Sequence, residues 1–209
     1  MLDMEQLKTG TTTLGLLYKD GAVLAADRRA TAGHIVASKT AEKVMPISDR
    51  IGITTAGMVA DLQAVVRLMR SELSLHEIRS GTKLGVEGAV GLLSTILFNK
   101  RLSLNVLYGE FVVGGYDTAP RLFSIDEAGG QGKDKFTVTG SGGVFALGVL
   151  EGDYKDGMSE EEAIKLAFKA VSSSIKRDVY TGEGIDIAVM NKKGYRKLAD
   201  DEVQKIISR

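Results

Sequence analysis

A short polar stretch near the N-terminus, Thr9-Gly10-Thr11-Thr12-Thr13, carries the residues best suited to chemistry. If the Gly10–Thr11 bond is cut, Thr11 acquires a free α-amine beside its own hydroxyl group. An α-amine has an ordinary pKa of about 7.7 to 8, which suits a general base near neutral pH. One residue would then supply both nucleophile and base, a variant of the Ser-His-Asp arrangement. The alternative is that three threonines simply favour a β-strand.

Asp27 and Lys43 are the charged residues most able to act on Thr11. Lys43 shares one face of a predicted extended segment, residues 41–47, with Ala41 and Met45, because side chains alternate along a strand. Its charge would disfavour protonation of the Thr11 amine and favour ionisation of the hydroxyl, while the carboxylate orients the lysine. The alternatives are a surface ion pair for Asp27 and protection of a strand edge by Lys43.

Two glycine positions also suggest chemistry. Gly57 lies at a predicted strand-to-helix junction, where its backbone N–H could face a developing oxyanion. The alternative is a plain glycine at a helix start. Gly140-Ser141-Gly142 opens another predicted helix and resembles a phosphate cradle, but no Gly-Lys-Ser/Thr follows. As evidence for a nucleotide site this motif is therefore weak.

The elements that must position these residues follow the order strands, two helices, strands, two helices, strands. Hairpin turns replace single crossover helices, which favours antiparallel sheets with helices outside them. Ser159 and Glu162 form a capping box at the start of one helix. No internal repeat, low-complexity tract or linker interrupts the sequence, so we expect one domain. Strands are predicted at 12–18, 22–27, 41–47, 50–56, 105–116, 121–125, 136–139, 185–191 and 195–198, those from 105 to 139 forming a meander, and helices at 59–80, 84–100, 143–154, 160–178 and from 201.

The composition excludes several classes of function. The 27 basic and 27 acidic residues balance, so nothing favours a nucleic-acid or anionic-membrane partner. The absence of cysteine removes disulfides and thiolate chemistry and fits an intracellular protein. The first ten residues lack the apolar core of a secretory signal, and no apolar stretch is long enough to span a bilayer. We expect no cofactor and no metal.

A set of motifs spread along the chain resembles the proteasome β-subunit, most closely the archaeal kind. The resemblance covers essentially the whole chain and implies an α+β fold, the four-layer αββα sandwich of the N-terminal nucleophile hydrolases. It also implies a propeptide at 1–10 and one catalytic domain at 11–209. The motifs are Thr-Gly-Thr-Thr-Thr-Leu-Gly at 9–15, Ala-Asp-Arg-Arg-Ala-Thr at 26–31, Lys43, Thr-Ala-Gly at 55–57, Val-Gly-Gly-Tyr-Asp at 113–117, Gly-Ser-Gly at 140–142 and Arg-Asp at 177–178.

Carried onto this sequence, the resemblance implies that Thr11 is the nucleophile, exposed when the chain cuts itself after Gly10. The other implied catalytic residues are Asp27, Lys43, Gly57, Ser141, Asp178 and Thr181. The family often has serine where this chain has Thr181, so the hydroxyl is retained. Without the resemblance, Asp178 and Thr181 read as a helix end and a turn. Which base serves in self-cleavage is not given by the sequence.

The resemblance also implies a substrate pocket whose matching positions carry no charge. Such a pocket offers no ion pair to a substrate side chain, so we expect cleavage after apolar residues, preferentially large ones. The positions are Ala30, Thr31, Ala41, Met45, Thr55, Val59 and Gln63.

The implied activity is that of a threonine endopeptidase that degrades unfolded proteins in the cytoplasm. The implied partners are proteasome α-subunits, other β-subunits in seven-membered rings, and an ATP-dependent unfoldase that acts through the α-ring. Two alternatives stay open. One is a structural ring subunit without activity. The other is a different N-terminal nucleophile amidase or the simpler bacterial proteasome-like peptidase.

Overall fold

The protein is described by a computed structural model that covers residues 10–104 and 107–208. Two five-stranded antiparallel sheets pack face to face, and helices cover both outer surfaces. The expected α+β four-layer αββα sandwich is therefore confirmed. The proposed propeptide lies outside the described residues except for Gly10. No helix in the two described ranges is long and apolar enough to cross a bilayer.

The described elements follow the predicted order with two additions, the hairpin β3–β4 and the short strand β9. The strands are β1 (Thr13–Tyr18), β2 (Gly21–Asp27), β3 (Ala30–Ala32), β4 (Ile35–Ser38), β5 (Val44–Ser48), β6 (Ile51–Gly57), β7 (Gly109–Tyr116), β8 (Pro120–Ile125), β9 (Gln131–Lys133), β10 (Phe136–Thr139), β11 (Ile185–Asn191) and β12 (Gly194–Lys197). The helices are α1 (Val59–Ser80), α2 (Val86–Leu102), α3 (Gly143–Asp153), α4 (Glu160–Ile175) and α5 (Asp200–Ile207).

Three apolar layers hold the four layers of secondary structure together. The first sheet, in the order β10-β1-β2-β11-β12, packs against α3, α4 and α5. The second sheet, in the order β5-β6-β7-β8-β9, packs against α1 and α2. Strand β2 shows how one strand serves two layers: Val23 and Ala25 face the helices, whereas Leu24 faces the second sheet. The layer between the sheets contains Ala22, Leu24, Ala26, Val44, Val112, Leu122, Ala188 and Met190.

One helix end and one helix start lie where local sequence signals indicate, whereas α2 is shifted to 86–102 and α4 ends at Ile175, three residues before the predicted end. Helix α1 ends at Gly81, which has a φ of 70°, the left-handed conformation that glycine adopts without strain. Helix α4 begins with the capping box, in which Ser159 and Glu162 satisfy each other's backbone N–H groups. The buried stripe of α1 is the predicted one: Leu62, Val65, Val66, Met69 and Leu73.

Three predictions of strands were wrong, and one hairpin was missed. Strands β7, β8 and β10 do not form one meander, because β8 continues into β9 whereas β10 pairs with β1 in the first sheet. No element was predicted between residues 27 and 41, where the structure has the hairpin β3–β4. The strand predicted from residue 41 begins only at Val44. The strand predicted from residue 105 begins at Gly109, and residues 105–106 lie outside the described residues.

Candidate active site

Thr11 lies two residues before β1 and is 4% exposed. Strand β1 pairs with β2 so that Thr13 lies opposite Ala26. The pairing continues beyond the strand end, because the Asp27 backbone N–H donates to the Thr12 carbonyl oxygen at 3.2 Å. The hairpin of β1 and β2 therefore brings Asp27, distant in sequence, next to the candidate nucleophile.

The Asp27 carboxylate is completely buried, and each oxygen accepts two hydrogen bonds. Oδ1 accepts from the Thr12 backbone N–H at 3.0 Å and from Lys43 Nζ at 2.7 Å. Oδ2 accepts from the backbone N–H groups of Arg29 at 3.0 Å and Gly182 at 2.9 Å. Four donors satisfy a charge that would be costly to bury alone. The alternative of a surface ion pair is therefore wrong for Asp27.

Lys43 connects this carboxylate to Thr11. Its Nζ donates to Thr11 Oγ1 at 2.9 Å as well as to Asp27. Burial lowers the pKa of Lys43 from its ordinary value, and the attraction of Asp27 opposes that shift. A buried amine with a lowered pKa, in contact with a hydroxyl oxygen, is suited to proton exchange with that hydroxyl. The protection of an exposed strand edge does not describe this position, since Lys43 is 7% exposed.

A second chain of hydrogen bonds approaches the Thr11 nitrogen from the other side. Because Gly10 precedes it, this nitrogen is a peptide N–H, and it donates to Ser141 Oγ at 3.2 Å. Ser141 Oγ donates in turn to Asp178 Oδ2 at 2.7 Å, and Thr181 Oγ1 donates to the same oxygen at 2.6 Å. Asp178 therefore orients two hydroxyl groups around the N-terminal side of Thr11.

The Gly140-Ser141-Gly142 turn follows the Thr11 backbone so closely that side chains are excluded. A methyl group built on Gly140, whose φ is 85°, would lie 2.1 Å from the Thr11 carbonyl oxygen. The Gly142 backbone N–H donates to that same carbonyl at 3.3 Å. The glycines of this motif therefore allow close contact with Thr11, which explains them without a phosphate ligand.

Gly57 ends β6 at the junction with α1, as predicted. Its φ is 138°, and a methyl group built on it would lie 2.4 Å from the Tyr108 carbonyl oxygen. The position therefore requires glycine for steric reasons. Its role as an oxyanion donor stays a prediction.

A cavity of about 450 Å³ opens beside Thr11. It is lined by Thr11, Lys43, Gly57 and all seven residues predicted to bind substrate: Ala30, Thr31, Ala41, Met45, Thr55, Val59 and Gln63. Although 41–43 is not a regular strand, Ala41 and Met45 line the cavity together with Lys43. Thr31 Oγ1 is buried and has no hydrogen-bond partner among the described residues.

Sequence reasoning missed several residues of this site. Ala37 and Ser38 line the cavity from β4. The signal for this hairpin was the two-residue turn Gly33-His34, whose glycine has a φ of 59°. The other missed cavity residues are Thr40, Glu42 and Leu62. Glu42 adds a carboxylate to a lining that was predicted from uncharged positions.

Two further hydroxyl groups connect the site to its surroundings. Thr12 Oγ1 lies 2.8 Å from Thr181 Oγ1, which joins the nucleophile segment to the Asp178 side. Thr13 Oγ1 lies 2.8 Å from Thr54 Oγ1 in the second sheet and 2.7 Å from Thr139 Oγ1 on β10. The three consecutive threonines do occupy the start of a strand, but each hydroxyl group contacts a different part of the site.

A protein-family model described as "Proteasome subunit" matches residues 7–190. The chain belongs to the proteasome subunit family. Its relatives in that family include "Proteasome subunit beta 1" of Thermococcus kodakarensis, 44% identical over 203 residues, 97% of this chain and 98% of the relative. "Proteasome subunit beta" of Methanospirillum hungatei is 45% identical over 205 residues, 97% of each chain. "Proteasome subunit beta" of Methanopyrus kandleri is 41% identical over 210 residues, 100% of each chain. The resemblance to archaeal proteasome β-subunits is thereby confirmed.

Proposed function

We propose that this chain is a catalytic β-subunit of a proteasome core, a threonine endopeptidase whose nucleophile is Thr11. One observation carries the proposal: Thr11 Oγ1 lies 2.9 Å from Lys43 Nζ at the wall of a cavity of about 450 Å³. A subunit with a purely architectural role would need neither a buried lysine beside a hydroxyl nor a cavity beside both. Membership of the proteasome family supports the same conclusion.

Maturation is the first step of the proposed mechanism. The Thr11 hydroxyl attacks the carbonyl carbon of Gly10 and loses its proton to a base. A proton passes to the Thr11 nitrogen as the C–N bond breaks, so the acyl group moves from nitrogen to oxygen. Lys43 Nζ is within hydrogen-bond distance and, in its neutral form, which its lowered pKa makes more accessible, serves as that base. Water then hydrolyses the ester, which sheds residues 1–10 and leaves a free α-amine. Gly10 is buried, and a methyl group on it would lie 1.9 Å from Tyr180 Cβ, so this position accepts only glycine.

Cleavage of a peptide uses the amine made in that step. The α-amine takes the hydroxyl proton, directly or through a water molecule, and Oγ1 attacks the substrate carbonyl carbon. The leaving amine accepts a proton as the ester forms, and water hydrolyses the ester to restore Thr11. Ser141 and Asp178 orient the amine through the hydrogen bonds already present. The Gly57 backbone N–H stabilises the negative charge on the carbonyl oxygen.

The substrate preference follows from the lining of the cavity. Met45, Val59 and Leu62 offer apolar contacts to a substrate side chain. The carboxylate of Glu42 does not reverse this preference, because its side chain is 59% exposed and its Oε1 lies 3.4 Å from Lys197 Nζ. We expect cleavage after large apolar residues. A panel of peptides that differ at this one position tests it, and faster cleavage after arginine or glutamate would refute it.

The proposed assembly is the one that the family resemblance implies, and the names of the relatives support only that it is a proteasome. β-Subunits would form seven-membered rings closed by rings of α-subunits, and an ATP-dependent unfoldase would deliver unfolded proteins through the α-ring. The proposed location is the cytoplasm. A structural subunit that retains residues 1–10, or an amidase of the same superfamily, are the alternatives.

One experiment separates these possibilities. Intact mass and peptidase activity are measured for the wild type, Thr11→Ala and Thr11→Ser, each assembled with its α partner. We expect the wild type to lose residues 1–10 and to cleave peptides, Thr11→Ala to do neither, and Thr11→Ser to retain activity because its hydroxyl remains. Activity in Thr11→Ala, or an active wild type that keeps its first ten residues, would refute the proposal.

A further inference from the structure

Glu110 lies on the second sheet but is directed at the first. On β7 it pairs with Ala56 of β6, one position from the pair formed by Gly109 and Gly57. Side chains alternate along a strand, so Glu110 shares the face of Val112, whose side chain is in the layer between the sheets. The carboxylate therefore extends from the Gly57 end of the cavity across the gap between the sheets.

The acceptor geometry shows what this carboxylate holds. Glu110 Oε2 accepts a hydrogen bond from the Gly140 backbone N–H at 3.0 Å. Gly140 directly follows β10, the edge strand of the first sheet. Glu110 thus joins a strand adjacent to Gly57 with the turn that carries Ser141.

Two residues of that turn form a hydrogen bond with Thr11, and the third is held by Glu110. Ser141 Oγ accepts from the Thr11 nitrogen, and the Gly142 N–H donates to the Thr11 carbonyl oxygen. Gly140 has neither a side chain nor a direct hydrogen bond to Thr11, and its N–H is held by Glu110. Because the acceptor oxygen of Glu110 fixes the N–H of Gly140, Glu110 limits the movement of the residue from which the Ser141 turn begins.

We propose that Glu110 is a positioning residue for the reaction: it aligns the Ser141 turn with the Gly57 side of the site. The proposal rests on the proposed function, in which Ser141 orients the Thr11 amine. Glu110 is exposed, so water replaces its hydrogen bond at little cost in stability. Its contribution is therefore expected in the rate of the chemical step rather than in the stability of the fold.

The test compares Glu110→Ala and Glu110→Gln in the full chain, assembled as the wild type is. The glutamine side chain has the same length as that of glutamate and keeps an acceptor oxygen, whereas alanine has none. We expect Glu110→Ala to lower kcat about tenfold with KM changed by less than about twofold, because displacement of an orienting group mainly affects the transition state. Glu110→Gln should recover most of the lost rate. The control is Glu127→Ala, which removes an exposed carboxylate that has no hydrogen bond among the described residues.

Thermal unfolding and intact mass are measured for every variant, and Thr11→Ala is included. Equal kcat in wild type and Glu110→Ala would overturn the proposal. An equal loss of kcat in the alanine and glutamine variants would overturn it as well. So would a loss of kcat that incomplete assembly or a lowered melting temperature accounts for. Activity in Thr11→Ala would instead refute the proposed function, whatever the Glu110 variants show.

Discussion

The two sides of Thr11 differ in how far they are removed from water. On one side, Asp27 is completely buried and the Lys43 side chain is 8% exposed. On the other, Ser141 is exposed and Asp178 is half-buried. The Asp27 and Lys43 side, here called the dry side, carries the ion pair, whose interaction is strong away from water. The side of Ser141 and Asp178, here called the wet side, carries the hydroxyl groups, and a water molecule can reach the ester and the amine there. The proposed reaction needs a buried ion pair on one side of Thr11 and access to water on the other.

The largest expected effect comes from removing the Lys43 ammonium group on the dry side. Lys43→Met removes the ammonium group and leaves the Asp27 carboxylate buried without its ionic partner. Breaking a buried ion pair in this way costs about 3 to 5 kcal/mol in the free energy of unfolding. Loss of the contact with Thr11 Oγ1 should also lower peptidase activity by about a thousandfold or more. Thermal unfolding and a peptide assay measure the two effects.

The matched control is Lys135→Met, which breaks the exposed ion pair between Lys135 and Asp156. Both of those side chains are more than 60% exposed, so we expect a change of less than about 1 kcal/mol and unchanged activity. Similar losses of stability in Lys43→Met and Lys135→Met would mean that burial does not make the ion pair of the dry side more important than an exposed one.

On the wet side, Ser141→Ala should affect activity without affecting stability. The substitution removes the oxygen that contacts the Thr11 nitrogen, and a loss of about a hundredfold in kcat is expected. Because Ser141 is exposed, the melting temperature should stay within about 2 °C of the wild type. Kinetics and calorimetry on the same preparation test this difference. A melting temperature lowered as far as in Lys43→Met would contradict the comparison.

The pH dependence of the free energy of unfolding tests the dry side further, through the titration of Lys43. Burial lowers the pKa of Lys43 below its value of 10.5 in the unfolded chain. Between the folded and unfolded pKa values the unfolded chain binds more protons, so the free energy of unfolding rises with pH in this window. The contribution is lost as pH falls through the folded pKa of Lys43. One proton accounts for at most about 1.4 kcal/mol per pH unit.

Denaturant unfolding of wild type and Lys43→Met across this pH range measures the effect. The difference between the two free energies isolates Lys43, because the tyrosines with raised pKa values, Tyr18 and Tyr195, are present in both proteins. A difference that is constant, or that falls as pH rises, would show that Lys43 has no lowered pKa.

The smallest effect is expected at Thr181, where the two sides meet. Its hydroxyl donates to Asp178 and lies 2.8 Å from Thr12 Oγ1. Thr181→Ser keeps both contacts and should retain activity within about twofold. Thr181→Val has the same size without the hydroxyl, and leaving buried partners unsatisfied costs about 1 kcal/mol. Parallel assays of the two variants decide whether the hydroxyl matters, and equal stability would show that it does not.

Local features of the fold could be predicted from the sequence because their causes are local. The buried stripe of α1, its end at Gly81 and the capping box at Ser159 depend on residues within a few positions of one another. The assignment of β10 to the first sheet depends on pairing with β1, more than a hundred residues away. Periodicity carries no information on such partners, and β2 is buried on both faces, so its sequence did not indicate which layer each face contacts.

The candidate site shows the same division. Thr11, Asp27 and Lys43 could be chosen from the sequence because their chemistry forms one unit. The hairpin that supplies Ala37 and Ser38 could not, since its short strands are largely exposed and lack a clear alternation. The contact between Glu110 and Gly140 was also beyond prediction, because it depends on the distance between two sheets.

The threonine hydroxyls of Thr13, Thr54 and Thr139 have a consequence for how the two sheets slide over each other. The apolar residues between the sheets are mostly small and interchangeable, and contacts among them have little directional preference. The 2.7 Å contact between Thr13 and Thr139 lies within the first sheet, whereas the 2.8 Å contact between Thr13 and Thr54 crosses from the first sheet to the second. A displacement of one sheet along the other by one residue would break the crossing contact, because a hydrogen bond tolerates only a narrow range of offsets. The contact between Thr13 and Thr54 therefore fixes the offset at which Thr11, just before β1, meets Lys43, just before β5 of the second sheet.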